Sequence, residues 1–109
     1  MLPDTNIEVR VMRTGLRAVF ALCDFMPGEV MFMWDADNTF SDEEYERMSA
    51  EQRAFVRRFD GVWTFMTEPV CFVGHDVNAN AHSRRGTAIA LKEIHVGEEI
   101  TINYEAILE

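Results

Sequence analysis

Three stretches of this chain carry side chains able to do chemistry. Gly74-His75-Asp76-Val77-Asn78-Ala79-Asn80-Ala81 sets an imidazole, a carboxylate and two carboxamides in one short run. Gly97-Glu98-Glu99-Ile100-Thr101-Ile102-Asn103-Tyr104 ends in a phenol. Gly15-Leu16-Arg17-Ala18-Val19-Phe20-Ala21 offers a glycine turn beside a guanidinium. His75, Asp76 and His82 are potential metal ligands, but they fall on an expected loop and lack a His-Glu-x-x-His helix. Asp35-x-Asp37-x-Thr39 is half a calcium loop with Phe40 where glycine is required, so it reads as a polar turn. Cys23 and Cys71 are too few and too scattered for a zinc cluster, and read as small buried hydrophobes in a reducing compartment. No metal is therefore expected. No glycine-rich phosphate loop and no Gly-x-Ser-x-Gly elbow occur.

The elements that must position these groups are mostly short strands. Residues 7–12 alternate apolar and polar with period two, the pattern of a half-buried strand. Residues 18–23, 30–34, 62–67, 70–73 and 87–91 read as short strands, and 99–104 alternates again. Met26-Pro27-Gly28-Glu29 and Arg84-Arg85-Gly86 read as tight turns. Ser41-Asp42-Glu43-Glu44 and Ser49-Ala50-Glu51-Gln52 read as capping boxes, which predicts helices over 42–48 and 50–59. Phe55 and Phe59, at i and i+4, give the second helix an apolar face, and Gly61 stops it. Residues 21–29 and 90–98 echo one another, with Ala, Leu, Gly and Glu at the same offsets. The echo predicts two similar strand–turn corners. The whole reads as a mainly β, α+β fold with a two-helix insert near 41–60.

A chain of 109 residues with 48% hydrophobic side chains is expected to be one domain, 1–109, with a real core. It is too apolar for a disordered chain. It has no apolar run long enough to span a membrane and no signal-like start, so an intracellular setting is expected: cytoplasmic, or nuclear in a eukaryotic or viral host. The formal charge of −9 argues against direct nucleic-acid binding. It fits either simple solubility or a basic partner. Asp42, Glu43, Glu44 and Glu46 read as a solvated helix face, or as a patch attracting a basic peptide.

In order and spacing the three chemical stretches resemble the SET domain, the fold of many protein-lysine methyltransferases. The resemblance runs from about residue 8 to 104 and is closest to minimal members without pre-SET or post-SET modules. It implies a β-clip fold of small sheets around the insert. The family's Gly-x-Gly-Val-Phe-Ala is matched at Gly15–Ala21 with Ala18 in place of the second glycine. Its Asn-His-Ser-x-x-Pro-Asn-Ala aligns to residues 74–81, where His75, Asn80 and Ala81 are kept. Gly74, Asp76 and Ala79 replace its Asn, Ser and Pro. Its Gly-Glu-Glu-Leu-Thr-x-x-Tyr is nearly complete at residues 97–104.

What the resemblance implies is specific. The cofactor is S-adenosylmethionine, held by Gly15, Leu16, Arg17, Gly74 and His75, largely through backbone groups. Tyr104 is the catalytic position, aligning a lysine amine with the methyl donor for in-line displacement. A neutral amine is needed, which costs a free lysine roughly 4–5 kcal/mol at pH 7. Ile102, Phe72 and Trp63 line the lysine channel, and the small Ile102 leaves room for higher methylation states. The substrate is a basic, lysine-containing protein. With five residues after Tyr104, the channel is expected to be closed by the insert (Trp63, Phe65), by a second subunit, or not at all, and a homodimer is expected. Two other readings stay open: a degenerate, non-catalytic SET domain that binds a protein or peptide, and a SAF-like β-clip ligand-binding domain.

Overall fold

The computed structural model describes residues 6–106. β1 (Ile7–Val11) and β2 (Arg17–Ala21) form an antiparallel hairpin with Ile7 opposite Ala21. β3 (Val30–Met33) leads into the insert: β4 (Thr39–Phe40), α1 (Asp42–Glu46), α2 (Ala50–Arg53), β5 (Val56–Phe59) and β6 (Val62–Phe65). β7 (Gly74–His75), β8 (Ala81–Arg84), β9 (Thr87–Ala90) and β10 (Glu99–Ile102) complete the strands among the described residues. The main sheet runs β1-β2-β10-β8-β9-β3, with β7 also pairing β10, and the insert forms a second sheet, β4-β6-β5. β10 is central. It is antiparallel to β2 and parallel to β7 and β8. Its period-two pattern buries Ile100 and Ile102 completely.

The echoing segments form a near-symmetric pair of corners. Phe25 N–H donates to Ile94 O at 2.8 Å and Ile94 N–H donates to Phe25 O at 2.9 Å. Gly28 N–H donates to Ala90 O and Gly97 N–H to Ala21 O, each at 2.8 Å. Ala90 N–H donates to Glu29 O and Ala21 N–H to Glu98 O, each at 2.9 Å. The glutamates match as well. Glu29 Oε1 accepts from Met26 N–H at 2.6 Å and Glu98 Oε1 from His95 N–H at 2.7 Å. Gly28 and Gly97 both sit at φ +89, a conformation open to a residue without a Cβ. Phe25 and Ile94 are buried between the corners, so apolar burial and paired backbone coincide.

The insert differs from its sequence pattern. Both capping boxes form: Ser41 Oγ accepts from Glu44 N–H, Ser49 Oγ from Gln52 N–H, and each reciprocal bond is present. The second helix nevertheless stops at Arg53 instead of 59. Residues 56–59 form β5, paired with β6 from Val56↔Phe65 to Phe59↔Val62. Asp60 and Gly61, at φ 51 and 79, make the tight hairpin turn that this pair requires, so Gly61 turns a strand and does not end a helix. In this strand Val56 and Phe59, on opposite faces, are both buried. Phe55 instead faces Phe65, with ring centroids 6.3 Å apart. Trp34 packs edge-on against Phe59 at 5.1 Å and ties the insert to the main core. Residues 70–73, expected as a strand, begin with a 3₁₀ turn, Val70–Phe72. β10 ends at Ile102, and Tyr104 opens a second 3₁₀ turn, Tyr104–Ala106.

The corners set a clear expectation for denaturant unfolding. Ile94→Ala should cost about 2–5 kcal/mol. Leu91→Ala, exposed on the same corner, should stay within about 0.5 kcal/mol of the parent.

Candidate functional site

Tyr104 is fixed at three points. Its backbone N–H donates to His75 Nδ1 at 3.1 Å. Its hydroxyl donates to Val73 O at 2.6 Å, with Val70 O at 3.4 Å. Its ring lies near the His75 ring, 6.0 Å between centroids and 19° from parallel. Because Nδ1 accepts a hydrogen bond, it carries no proton in this arrangement. His75 thus acts on Tyr104 through its side chain, a role beyond the backbone contacts implied by the motif. Asn80 supports the same strand: its Oδ1 accepts from Thr101 N–H at 2.9 Å and its Nδ2 donates to Glu99 O at 2.9 Å. Asp76 is committed to a local turn, accepting from Asn78 N–H at 2.8 Å.

A groove of about 350 Å³ opens at Tyr104, lined also by Tyr45, Val56, Arg57, Trp63 and Glu105. Tyr45 and Trp63 stack face to face, with centroids 3.7 Å apart and planes 5° apart. Trp63 Nε1–H donates to Asp42 Oδ1 at 2.7 Å, which brings the acidic α1 to the rim. The Arg57 guanidinium stands over the Tyr104 ring, 5.4 Å from its centroid. Burial pushes the Tyr104 hydroxyl up to about 12, Arg57 opposing and Cys71 adding to the shift. Tyr45 and Arg57 carry no motif signal. Their roles come from tertiary contacts: Tyr45 on α1 stacks on Trp63 of β6, and Arg57 of β5 meets Tyr104.

The remaining site residues lie close by. Trp63 shares the groove with Tyr104. Phe72 lines a neighbouring groove of about 500 Å³ with Phe55, Phe65, Met66 and Cys71. Ile102 is fully buried and lines neither. Gly15 and Leu16 form the hairpin turn between β1 and β2. Gly15 N–H donates to Met12 O, Leu16 N–H to Thr14 Oγ1, and Leu16 O accepts from Met12 N–H. Their amides are therefore already engaged. Arg17 reaches over the Phe72 ring at 5.2 Å, so this turn lies against the segment leading to Gly74.

Gly74 pairs with Thr101, and a Cβ placed there would sit 3.1 Å from Glu99 Oε2. The Glu99 carboxylate thus crowds the place of a side chain at 74 and would have to shift slightly to admit one. Beside Gly74 it is a group suited to a ligand ammonium, and a carboxylate at this place fits the ammonium of a methionine-type ligand end.

A family model described as the SET domain matches residues 16–105. No curated protein matches the chain. Among solved structures, a Plasmodium falciparum protein provisionally described as a histone methyltransferase aligns at TM-score 0.73 and 15% identity, over 94% of this chain and 95% of that one. A Chaetomium thermophilum Polycomb Repressive Complex 2 variant bound to an inhibitor aligns at TM-score 0.79 and 18% identity, over 98% of this chain. The autoinhibited form of that complex bound to S-adenosylmethionine aligns at TM-score 0.76 and 18% identity, over 97% of this chain. This chain spans 16% of either complex chain. At these identities the likeness is one of fold.

The Tyr104 surroundings predict an alkaline signature. The folded phenol keeps its proton to about pH 12, whereas an unfolded tyrosine ionises near 10. Stability therefore falls as pH rises from about 10 toward 12. Tyrosinate absorbance should show a component titrating near pH 12 that Tyr104→Phe removes; loss of a lower-titrating component instead would contradict the described burial.

Proposed function

The chain belongs to the SET domain family, and from that premise we propose that it methylates a lysine in a basic protein segment, with S-adenosylmethionine as donor. The observation that carries this reading is the seat of Tyr104. His75 holds its backbone, Val73 holds its hydroxyl, and its ring borders the groove with Trp63 and Arg57. The cofactor, when bound, supplies an electrophilic methyl group on a sulfonium.

The chain's own residues do the rest. The Tyr104 proton is committed to Val73 O, so its oxygen offers lone pairs to an incoming amine. Accepting one amine N–H turns the amine's lone pair toward the donor, and such alignment is the main source of rate in a displacement. The phenol, neutral to about pH 12, does not take the lysine proton; that proton leaves to water. Arg57 over the same ring disfavours a second positive charge and so favours the neutral amine. Each unit of depressed lysine pKa is worth about 1.4 kcal/mol. Glu99, beside Gly74, would hold the ammonium of the cofactor's amino-acid end. Glu105 and the acidic α1 rim the groove with charge suited to a basic peptide. A cytoplasmic or nuclear setting would keep the free thiols of Cys23 and Cys71 reduced.

One observation favours a second reading, a non-catalytic peptide-binding SET domain. Gly74 stands where the family carries an Asn side chain, and the Glu99 carboxylate crowds that place. Calorimetric titration with S-adenosylmethionine and its demethylated product separates the two. The methyltransferase reading expects saturable binding, weakened about tenfold or more by Glu99→Gln. No binding at millimolar ligand would favour the non-catalytic reading. Turnover on a lysine-rich peptide should also fall as ionic strength rises. A salt-independent kcat/KM would remove the acidic rim from substrate capture.

A further inference from the structure

We propose that the β1 edge is a homodimer interface, in which two copies add strand to strand, antiparallel, about a two-fold axis at Val9. β1 is the outermost strand of the main sheet, and among the described residues nothing pairs with its outer side. The register fixes which backbone groups face outward. Leu22 N–H donates to Asn6 O and Met12 N–H to Leu16 O, so the even-numbered residues of β1 bond to β2. Ile7, Val9 and Val11 therefore point their N–H and C=O groups away from the sheet.

The side chains fit the same arrangement. Ile7, Val9 and Val11 lie on the core face, yet exposure climbs from 8% through 38% to 67% as the core runs out. A second copy would continue that core, placing Val9 against Val9 and Ile7 against Val11. On the opposite face the sequence Ile7-Glu8-Val9-Arg10-Val11 is self-complementary in charge. The two-fold axis sets Glu8 of each copy opposite Arg10 of the other, at a closely spaced cross-strand position. Arg10 is already held in place over the Phe20 ring at 4.5 Å and by Glu8 at 2.8 Å, so little side-chain freedom remains to be lost. An uncovered strand with apolar side chains and unpaired backbone groups is a pairing template. Charge complementarity names its occupant as a second copy. This surface is independent of the methyl-transfer reading.

Sedimentation of the full chain tests it. The parent should sediment as a dimer. Val9→Pro removes an outward donor but no β1–β2 bond, and should give a monomer that still melts cooperatively, its melting temperature no longer dependent on concentration. Arg10→Glu and Glu8→Arg each set like charges opposite one another, and each should raise the dimer dissociation constant about tenfold or more. An equimolar mixture of these two variants restores opposite charges at both positions and should form a heterodimer. A monomeric parent up to its solubility limit would overturn the proposal, including the case where another protein's strand covers the edge. So would a dimer indifferent to Val9→Pro and to both charge reversals.

Discussion

The reciprocal backbone pairing of Phe25 and Ile94 holds the two ends of this chain together. These residues exchange hydrogen bonds in both directions while burying their side chains in the same core. Neither corner could supply this alone: a tight turn leaves strand-end N–H and C=O groups without partners, and burying them unpaired costs free energy. Each corner supplies the other's missing donors and acceptors. The N-terminal hairpin and the C-terminal strand are thereby joined across almost the whole sequence, contacts that form late and at a high loop-closure cost.

The site depends on that junction. Once Ala21 and Gly97 are locked by paired hydrogen bonds, β10 can enter the sheet only beside β2. β10 then carries Tyr104 to the segment 70–75, where Val73 and His75 wait as acceptors. Asn80 fixes the strand's backbone from the other side. The same strand brings Glu99 beside Gly74. One central strand thus positions the phenol and an acidic group suited to a ligand ammonium, while the insert contributes the aromatic wall.

Much of this was legible in the sequence, for identifiable reasons. The echo of Ala, Leu, Gly and Glu at equal offsets encodes two corners with the same turn chemistry, and the structure forms both. The capping boxes are local, and local chemistry decides them. The 50–59 helix is not there because Phe55 and Phe59 satisfy helical spacing only in isolation. Asp60-Gly61 permits a hairpin, and pairing with β6 buries Val56 and Phe59 at once. His75 and Tyr104 could be read from motifs, but the clamp between them could not, since it joins positions brought together only by β7 and β10. Tyr45 and Arg57 carry no local signal, because their contacts are tertiary: a helix side chain on Trp63 and a strand side chain on Tyr104. The replacement of the family's Asn by Gly74 becomes intelligible once Glu99 is seen beside it.

The charge balance gains a location from the structure. The acidic α1 stands at the groove rim through the Asp42–Trp63 bond, so part of the −9 lies where a basic segment would approach. The central claim is that this groove methylates lysine. Its most direct test is transfer of an isotopically labelled methyl group from S-adenosylmethionine to a library of basic lysine peptides, followed by mass spectrometry. The account predicts label on lysine side chains with the parent chain, and its loss in Tyr104→Phe with cofactor binding retained. Absence of label across the library despite measurable cofactor binding, or undiminished transfer by Tyr104→Phe, would contradict it.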